Sequence, residues 1–398
     1  MRITIVKESS ASEPRVSASL ETVKRFVGLG ASVVVASGAG LASGVSDGDF
    51  EAVGASIASD NATAVSGADI VLAVRRPAAS ALTGVKPGAL VIAIADPYGN
   101  EAALSEIAAT GASLFAMELM PRITRAQVMD VLSSQANLAG YRAVIDASAE
   151  FGRAFPMMMT AAGTVPAARV FVMGAGVAGL QAIATARRLG AVVSATDVRP
   201  AAKEQVESLG AKFIAVEDEE FKQAETSGGY AKAMSAEYQA KQAALTASHI
   251  AKQDIVITTA LIPGRPAPKL ISAEMVASMK AGSVIVDLAV ERGGNVEGAV
   301  AGEVVTTANG VKIVGHLNVP GRLAATASQL YAKNLYAFVE TLIDKGSKAL
   351  AVKWDDELVK ATLLTKDGAV VHPNFRPADA GAGAADAAVA EAGAASAA

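Results

Sequence analysis

One stretch of this 398-residue chain leaves little freedom of fold. Arg169 to Met173 is a short apolar run, Gly174, Gly176 and Gly179 form a G-x-G-x-x-G turn, and Gln181 to Leu189 continues with helical spacing. A second apolar run, Ala191 to Thr196, then delivers Asp197, 23 positions after Gly174 (197 − 174). Strand, glycine turn, helix, strand and acid in that order are the parts of a dinucleotide-binding βαβ unit. Gly174 permits the tight turn, Gly176 lets backbone approach a pyrophosphate, and Gly179 lets helix pack on strand. Val177 and Ala178 open the helix, whose free N–H groups favour phosphate. Asp197 is placed to accept from ribose hydroxyls, which favours NAD over NADP. Arg199, beside Val198, is a cation that a 2′-phosphate could meet. The competing reading is a glycine-rich turn that holds no ligand.

The rest of the chain repeats the alternation of strand and helix expected of parallel α/β sheets. Strands are expected at Ile3–Val6, Ser32–Ala36, Ala68–Val74, Ala89–Ala95, Leu114–Ala116, Lys212–Val216 and Asp254–Thr259. Helices are expected at Leu20–Leu29, from a Ser46 cap to Val53, at Glu101–Ala109, and at Ser328–Ile343. The spacing of Val128, Val131, Leu132, Leu138, Tyr141, Val144 and Ile145 predicts one long helix over Thr124–Arg153, capped by Thr124 and running through Gly140. The chain also echoes itself. Ala68–Leu72 resembles Gln253–Ile257, and Val85–Ile92 resembles Met279–Val286.

The expected architecture is therefore two doubly wound, Rossmann-like parallel-sheet domains joined by long interdomain helices, with an NAD cleft between them. The first domain takes residues 1–135 and 320–376, and the second, fingerprint-bearing one takes 136–319. Residues 377–398, almost all Ala, Gly and small acids, are expected to be a flexible tail.

Composition removes several classes of function. With no cysteine there are no disulfides or thiolate metal sites, and three scattered histidines make a metal centre improbable. A net charge of −4 without a basic block argues against nucleic acid. The N-terminus enters a strand at once without a signal peptide, and no apolar run is long enough to span a bilayer. The expectation is a soluble cytoplasmic protein that does not insert into a membrane.

Two stretches are more than scaffold. Around the start of the interdomain helix lie Arg122, Gln127, Asp130 and Ser133. If the helix is continuous, Gln127, Asp130 and Ser134 share a face. An Asp130–Arg122 pair would then present Gln127 to a nicotinamide amide or ribose. Ordinary capping with a surface ion pair fits the same pattern. The second stretch, Glu217–Lys241, is poor in apolar residues and carries Gly228, Gly229 and Tyr230, which suits a hinged lid or a plain surface loop. Met157, Met158 and Met159 read as adaptable core packing. His316 is expected to be a hydrogen-bonded structural residue, and His249 and His372 to be surface residues. Arg15 and Arg75 end polar segments of the first domain and could face the cleft.

These residues resemble a known family. Met117–Arg142, Phe155–Val165, Gly174–Ala191, Ile257–Pro268 and the loop Ala224–Met234 are similar to the NAD(H)-binding component of proton-translocating nicotinamide nucleotide transhydrogenases, over nearly the whole chain to about His372. The resemblance implies that Gln127, with Arg122, Asp130 and nearby Ser133, holds the nicotinamide ring. Tyr230, beside Gly229, would close over bound nucleotide, Asp197 would hold the adenosine ribose, and the Ala260–Leu261 turn would run along the cofactor. It implies NAD(H) here and NADP(H) on a partner subunit, a homodimer, and a membrane-spanning subunit on separate polypeptides. The chain would then sit peripherally on the cytoplasmic face of the inner membrane. Alanine dehydrogenases are the related alternative. They need a Lys and a His in the first domain for proton transfer, and the positions matching them hold Arg75 and Ile94.

Overall fold

The computed structural model describes residues 1–222 and 234–376. These residues divide into two compact units, one built from Met1–Gln135 with residues 320–376, the other from Ala136–Val319.

In the first unit, six strands form one fully parallel sheet: β1 (Arg2–Ile5), β2 (Ser32–Ala36), β3 (Ser56–Ala58), β4 (Ile70–Arg75), β5 (Leu90–Ile94) and β6 (Ser113–Ala116), in the order β3-β2-β1-β4-β5-β6. The chain winds outward from β1 and then returns to its other side, so a switch point lies between β1 and β4. Alternate residues feed two cores. Ile3, Ile5, Ile70, Leu72 and Ile92 pack with the helices Leu20–Gly28 and Ala324–Thr341. Val71, Ala73, Val91 and Leu114 pack against Leu104 and Ile107 of the helix Glu101–Ala109. Burial on both faces is why these strands read as continuous apolar runs. Helix starts are set locally: Ser19 forms a capping box with Thr22, and Ser46 forms one with Asp49.

In the second unit the end of the helix Val131–Glu150 is followed by a two-stranded hairpin, β7 (Met158–Thr160) and β8 (Gly163–Val165). Its main sheet has β9 (Arg169–Met173), β10 (Val192–Thr196), β11 (Lys212–Phe213), β12 (Ile255–Thr258), β13 (Val284–Asp287), β14 (Val304–Thr306) and β15 (Lys312–Val314). The order is β11-β10-β9-β12-β13-β15-β14, parallel except for the edge strand β14. The sequence echo now has a structural meaning. β4 and β12 each lie beside the first strand of their sheet, and β5 and β13 lie next to them. Even the fastenings match: Arg2 N–H donates to Asp69 at 2.6 Å, and Arg169 N–H donates to Asp254 at 2.9 Å.

Three expectations are corrected. The helix predicted over Thr124–Arg153 is instead a 3₁₀ turn, Thr124–Met129, followed by an α-helix, Val131–Glu150. Asp130, with φ −74° and ψ 94°, breaks the two apart and caps the α-helix, so Thr124 is not the cap. The Met triplet is not core packing: Met157, Met158 and Met159 are 62%, 43% and 81% exposed, and among the described residues no third strand pairs with the hairpin to cover them. His249 and His372 are not surface residues. His249 is half-buried, bonded to Ser194 Oγ at 2.8 Å and edge-on to Phe171. His372 is buried and accepts from Asn374 N–H. Burial pulls both imidazoles below their ordinary pKa.

Candidate functional site

The carboxyl ends of β9, β10 and β12 bring the fingerprint together in the second unit. Gly174 has φ +104°, and a Cβ there would stand 2.3 Å from Thr259 Oγ1, so only glycine fits. A Cβ on Gly179 would stand 1.8 Å from Gly174 O, which is the close helix-to-strand packing that the spacing predicts. Gly176 is different. It has an ordinary φ of −73°, and its Cβ would meet nothing within 4 Å. Space is open above it, and Gly176 and Val177 are exposed. The helix Val177–Arg188 starts at Gly176 with no side chain capping it, which leaves its first N–H groups for an anion.

Asp197 is already engaged. Its side chain is fully buried, and its Oδ2 accepts from Ala175 N–H at 2.7 Å. Arg199 donates its backbone N–H and Nε to Oδ1, both at 2.9 Å, and Nη2 to Oδ2 at 3.0 Å. These four donors match the acceptor capacity of a carboxylate. A ribose diol would therefore have to displace a guanidinium bond, and the guanidinium is drawn toward Asp197.

The turn after β12 is held by two buried residues that sequence reasoning missed. Asn295 accepts from Ala260 N–H at 3.1 Å and donates to Ala260 O at 2.9 Å and to Pro268 O at 2.8 Å. Asp287, at the end of β13, accepts from the N–H groups of Ala289, Asn295 and Val296 and from Thr258 Oγ. Burial pushes its carboxyl above the ordinary range despite those donors. With both polar groups of Ala260 occupied, this turn offers a ligand mainly the half-exposed side chain of Leu261. The one signal in the sequence was Gly293-Gly294-Asn295, a pair of positive-φ glycines ahead of an amide.

The other candidate cluster belongs to the first unit. Gln127 and Arg122 are exposed, and Asp130 and Ser133 are half-buried. Asp130 accepts from Ser133 N–H at 2.8 Å and from Ser133 Oγ at 2.5 Å, a local pairing at the start of the α-helix. Because Asp130 sits at the break, the face predicted for Gln127, Asp130 and Ser134 does not form. Ser134 instead donates to Asn334 at 2.7 Å.

Arg15 and Arg75 also lie in this unit. Arg15 is buried and held by Glu13 at 2.7 Å and Gln135 at 2.8 Å, and Arg75 donates to Glu13 at 2.9 Å. Burial pushes Glu13 up, but the two guanidiniums outweigh it and hold that carboxyl below its usual range. Nearby, Glu8 accepts from Val74 and Arg75 N–H, and burial drives it up to about 7. Gly229 and Tyr230 lie outside the described residues.

Comparison with known proteins decides the family. Residues 4–139 match the N-terminal domain, and residues 143–373 the C-terminal domain, of the alanine dehydrogenase/PNT family. A Rhodospirillum rubrum protein, the first of the separately named pieces of an NAD(P) transhydrogenase alpha subunit, is 56% identical over 378 residues, covering 94% of this chain and 98% of the relative. The chain belongs to the transhydrogenase alpha-subunit family. A crystal structure of transhydrogenase from Sinorhizobium meliloti is similar with a TM-score of 0.85 and 64% identity, over 93% of this chain and 100% of that one. An alanine dehydrogenase from Halomonas elongata is more distant, 30% identical over 94% of this chain and 95% of its own. The resemblance read from the sequence is thus the right one. Among the described residues, no helix is long and apolar enough to cross a membrane.

Proposed function

We propose that this chain is the NAD(H)-binding subunit of a proton-translocating transhydrogenase, and that it presents NADH for direct hydride transfer to NADP⁺ carried by a partner subunit. The observation that carries the reading is the fingerprint, with its open space over Gly176 and an uncapped helix start beside it. In the transfer, the C4–H bond of NADH breaks and a C4–H bond forms on NADP⁺, with no proton exchanged. The chain's residues therefore bind and orient. The N–H groups after Gly176 hold the pyrophosphate, Asp197 and the Val198–Arg199 segment flank the adenosine ribose, and Leu261 packs along the cofactor. Gln127, with Arg122, Asp130 and Ser133, fixes the nicotinamide, and Tyr230 covers it. Positioning of this kind can supply much of the rate.

The first unit supports the choice against an amino-acid dehydrogenase. Where that reaction needs a Lys, the chain has Arg75, whose guanidinium stays protonated and is paired with Glu13. Where it needs a His, Ile94 has no proton to move. The exposed Met hairpin is an apolar patch that supports the homodimer. Proton movement belongs to the membrane-spanning partner, with this chain peripheral on the cytoplasmic side of the inner membrane.

The test is to mix the chain with the NADP(H)-binding partner and follow hydride exchange. Gln127→Asn should slow transfer strongly and change NADH binding little. Equal loss of both would make Gln127 only structural, and oxidation of NADH by pyruvate and ammonia without a partner would favour the dehydrogenase.

A further inference from the structure

Gln127 sits on an exposed 3₁₀ turn, a poor platform for a residue that must hold a ring in register. Beneath the turn runs a buried polar chain within the first unit. Glu13 takes both Nε and Nη2 of Arg15 at 2.7 Å. Arg15 Nη1 donates to Gln135 Oε1 at 2.8 Å, and Gln135 Nε2 donates to Ser134 Oγ at 3.2 Å. Ser134 Oγ donates to Asn334 Oδ1 at 2.7 Å, and Asn334 Nδ2 donates to the carbonyl of Val128 at 2.8 Å. That carbonyl belongs to the residue directly after Gln127.

Every link has one polarity. Arg15 can only donate, so it fixes which end of the Gln135 amide accepts. Gln135 then donates to Ser134, whose hydroxyl proton has two acceptors in reach, Asn334 Oδ1 at 2.7 Å and the Val131 carbonyl at 3.2 Å, the shorter bond going to Asn334. Asn334 is left with its amino group facing Val128. Reversing either amide would set donor against donor or acceptor against acceptor in a buried place, at the cost of unsatisfied groups on both sides. Glu13, Arg15, Gln135 and Asn334 are buried, Ser134 is half-buried, and only Val128 at the end of the chain is exposed.

We propose that Asn334, oriented by the Glu13–Arg15–Gln135–Ser134 chain, is a positioning residue for hydride transfer, holding the Val128 carbonyl and with it the backbone that carries Gln127. The inference rests on the reading of Gln127 as the nicotinamide-holding residue. It also gives Arg15 a role: turned inward, it sets the polarity of this relay.

The test uses the full chain with its NADP(H)-binding partner. Asn334→Asp keeps the size and the acceptor for Ser134 but sets a carboxylate oxygen against the Val128 carbonyl. We expect the transfer rate to fall about tenfold or more, since a displacement well under 1 Å of a reacting group is worth that much, while the NADH dissociation constant stays within about threefold. In a Gln127→Ala background the same change should cost less than about twofold, because the group being positioned is gone. A wild-type rate for Asn334→Asp, an undiminished cost in the Gln127→Ala background, or loss of NADH binding in step with rate would each overturn the proposal. A Gln127→Ala protein transferring at the wild-type rate would overturn both this and the reading beneath it. Should Asn334→Asp fail to fold, Ser134→Ala, which removes the orienting hydroxyl and leaves Asn334 intact, must show the same coupling to Gln127; additive effects there overturn the relay.

Discussion

Gly140 lies ten positions into the helix Val131–Glu150, where helix propensity alone would favour alanine by about 1 kcal/mol. The structure reverses that expectation. A Cβ on Gly140 would stand 2.0 Å from Ala178 O and 3.0 Å from Ala178 Cα, in the first turn of the fingerprint helix. A carbon rests about 3.3 Å from a carbonyl oxygen, so the two backbones must part by roughly 1 Å. Both sides are helix main chain, with no flexible side-chain end to yield. Overpacking of this kind costs about 1–3 kcal/mol, which cancels or exceeds the propensity gain of about 1 kcal/mol. Gly140→Ala should therefore lower stability by up to about 2 kcal/mol in urea unfolding, where propensity alone would raise it. It should also weaken NADH binding, because the N–H groups beside Ala178 move with it. Gly176→Ala is the contrast. Its Cβ meets open space and its φ is ordinary, so stability should change by less than about 1 kcal/mol, while the methyl occupies the room a pyrophosphate needs and NADH affinity falls. A Gly140→Ala protein as stable as wild type, with unchanged NADH binding, would refute the close approach and the role assigned to it.

Other consequences follow from the buried polar groups. Glu8 is pushed from 4.5 to about 7, so the folded state binds its proton more tightly than the unfolded one. Its contribution is therefore present below about pH 4.5 and lost as pH rises through about 7, with a ceiling of about 3 kcal/mol. The unfolding free energy of wild type minus that of Glu8→Gln should fall between pH 5 and pH 8, and a flat difference would contradict the burial. Asp130→Ala removes the cap bonded to Ser133 and should cost about 1 kcal/mol in urea unfolding, with slower hydride transfer; unchanged stability would deny the cap. Asn295→Ala strands both polar groups of Ala260 and should cost about 1–3 kcal/mol while raising the NADH dissociation constant in fluorescence titration. A loss of stability with untouched binding would mean that the Ala260–Leu261 turn does not meet the cofactor.

Much of this was legible in the sequence where one local rule dominates. The helix Glu101–Ala109 and the strand Ser32–Ala36 fall where periodicity put them, and Ser46 caps the helix it was expected to cap. Glycine spacing located the fingerprint because the steric demands at Gly174 and Gly179 are absolute. The illegible parts depend on partners distant in sequence or on competition between bonds. Apolar spacing runs unbroken through Val128, Val131 and Leu132, yet the helix breaks because the Asp130 carboxylate bonds to Ser133 in its first turn. Three methionines in a row look like core, but their burial depends on a neighbouring strand, and none among the described residues pairs with β7 or β8. β3 and the helix Asn61–Val65 are three and five residues long, too short for a period to show. Arg15 reads as a cleft-facing cation until its partners, Glu13 and Gln135, are seen; Gln135 lies 120 positions away. Asn334 carries no pattern at all, and Asn295 only the glycine pair before it. Each matters because of the backbone atom it meets.

In the proposed function this chain holds a nicotinamide for direct exchange and performs no acid–base chemistry on it. The direct test starts with NADH deuterated at the transferred C4 position, mixed with this chain, the NADP(H)-binding partner and NADP⁺ in ordinary water. The deuterium should appear quantitatively at C4 of NADPH, with none lost to solvent. Label found in water, or transfer to pyruvate without the partner present, would contradict it.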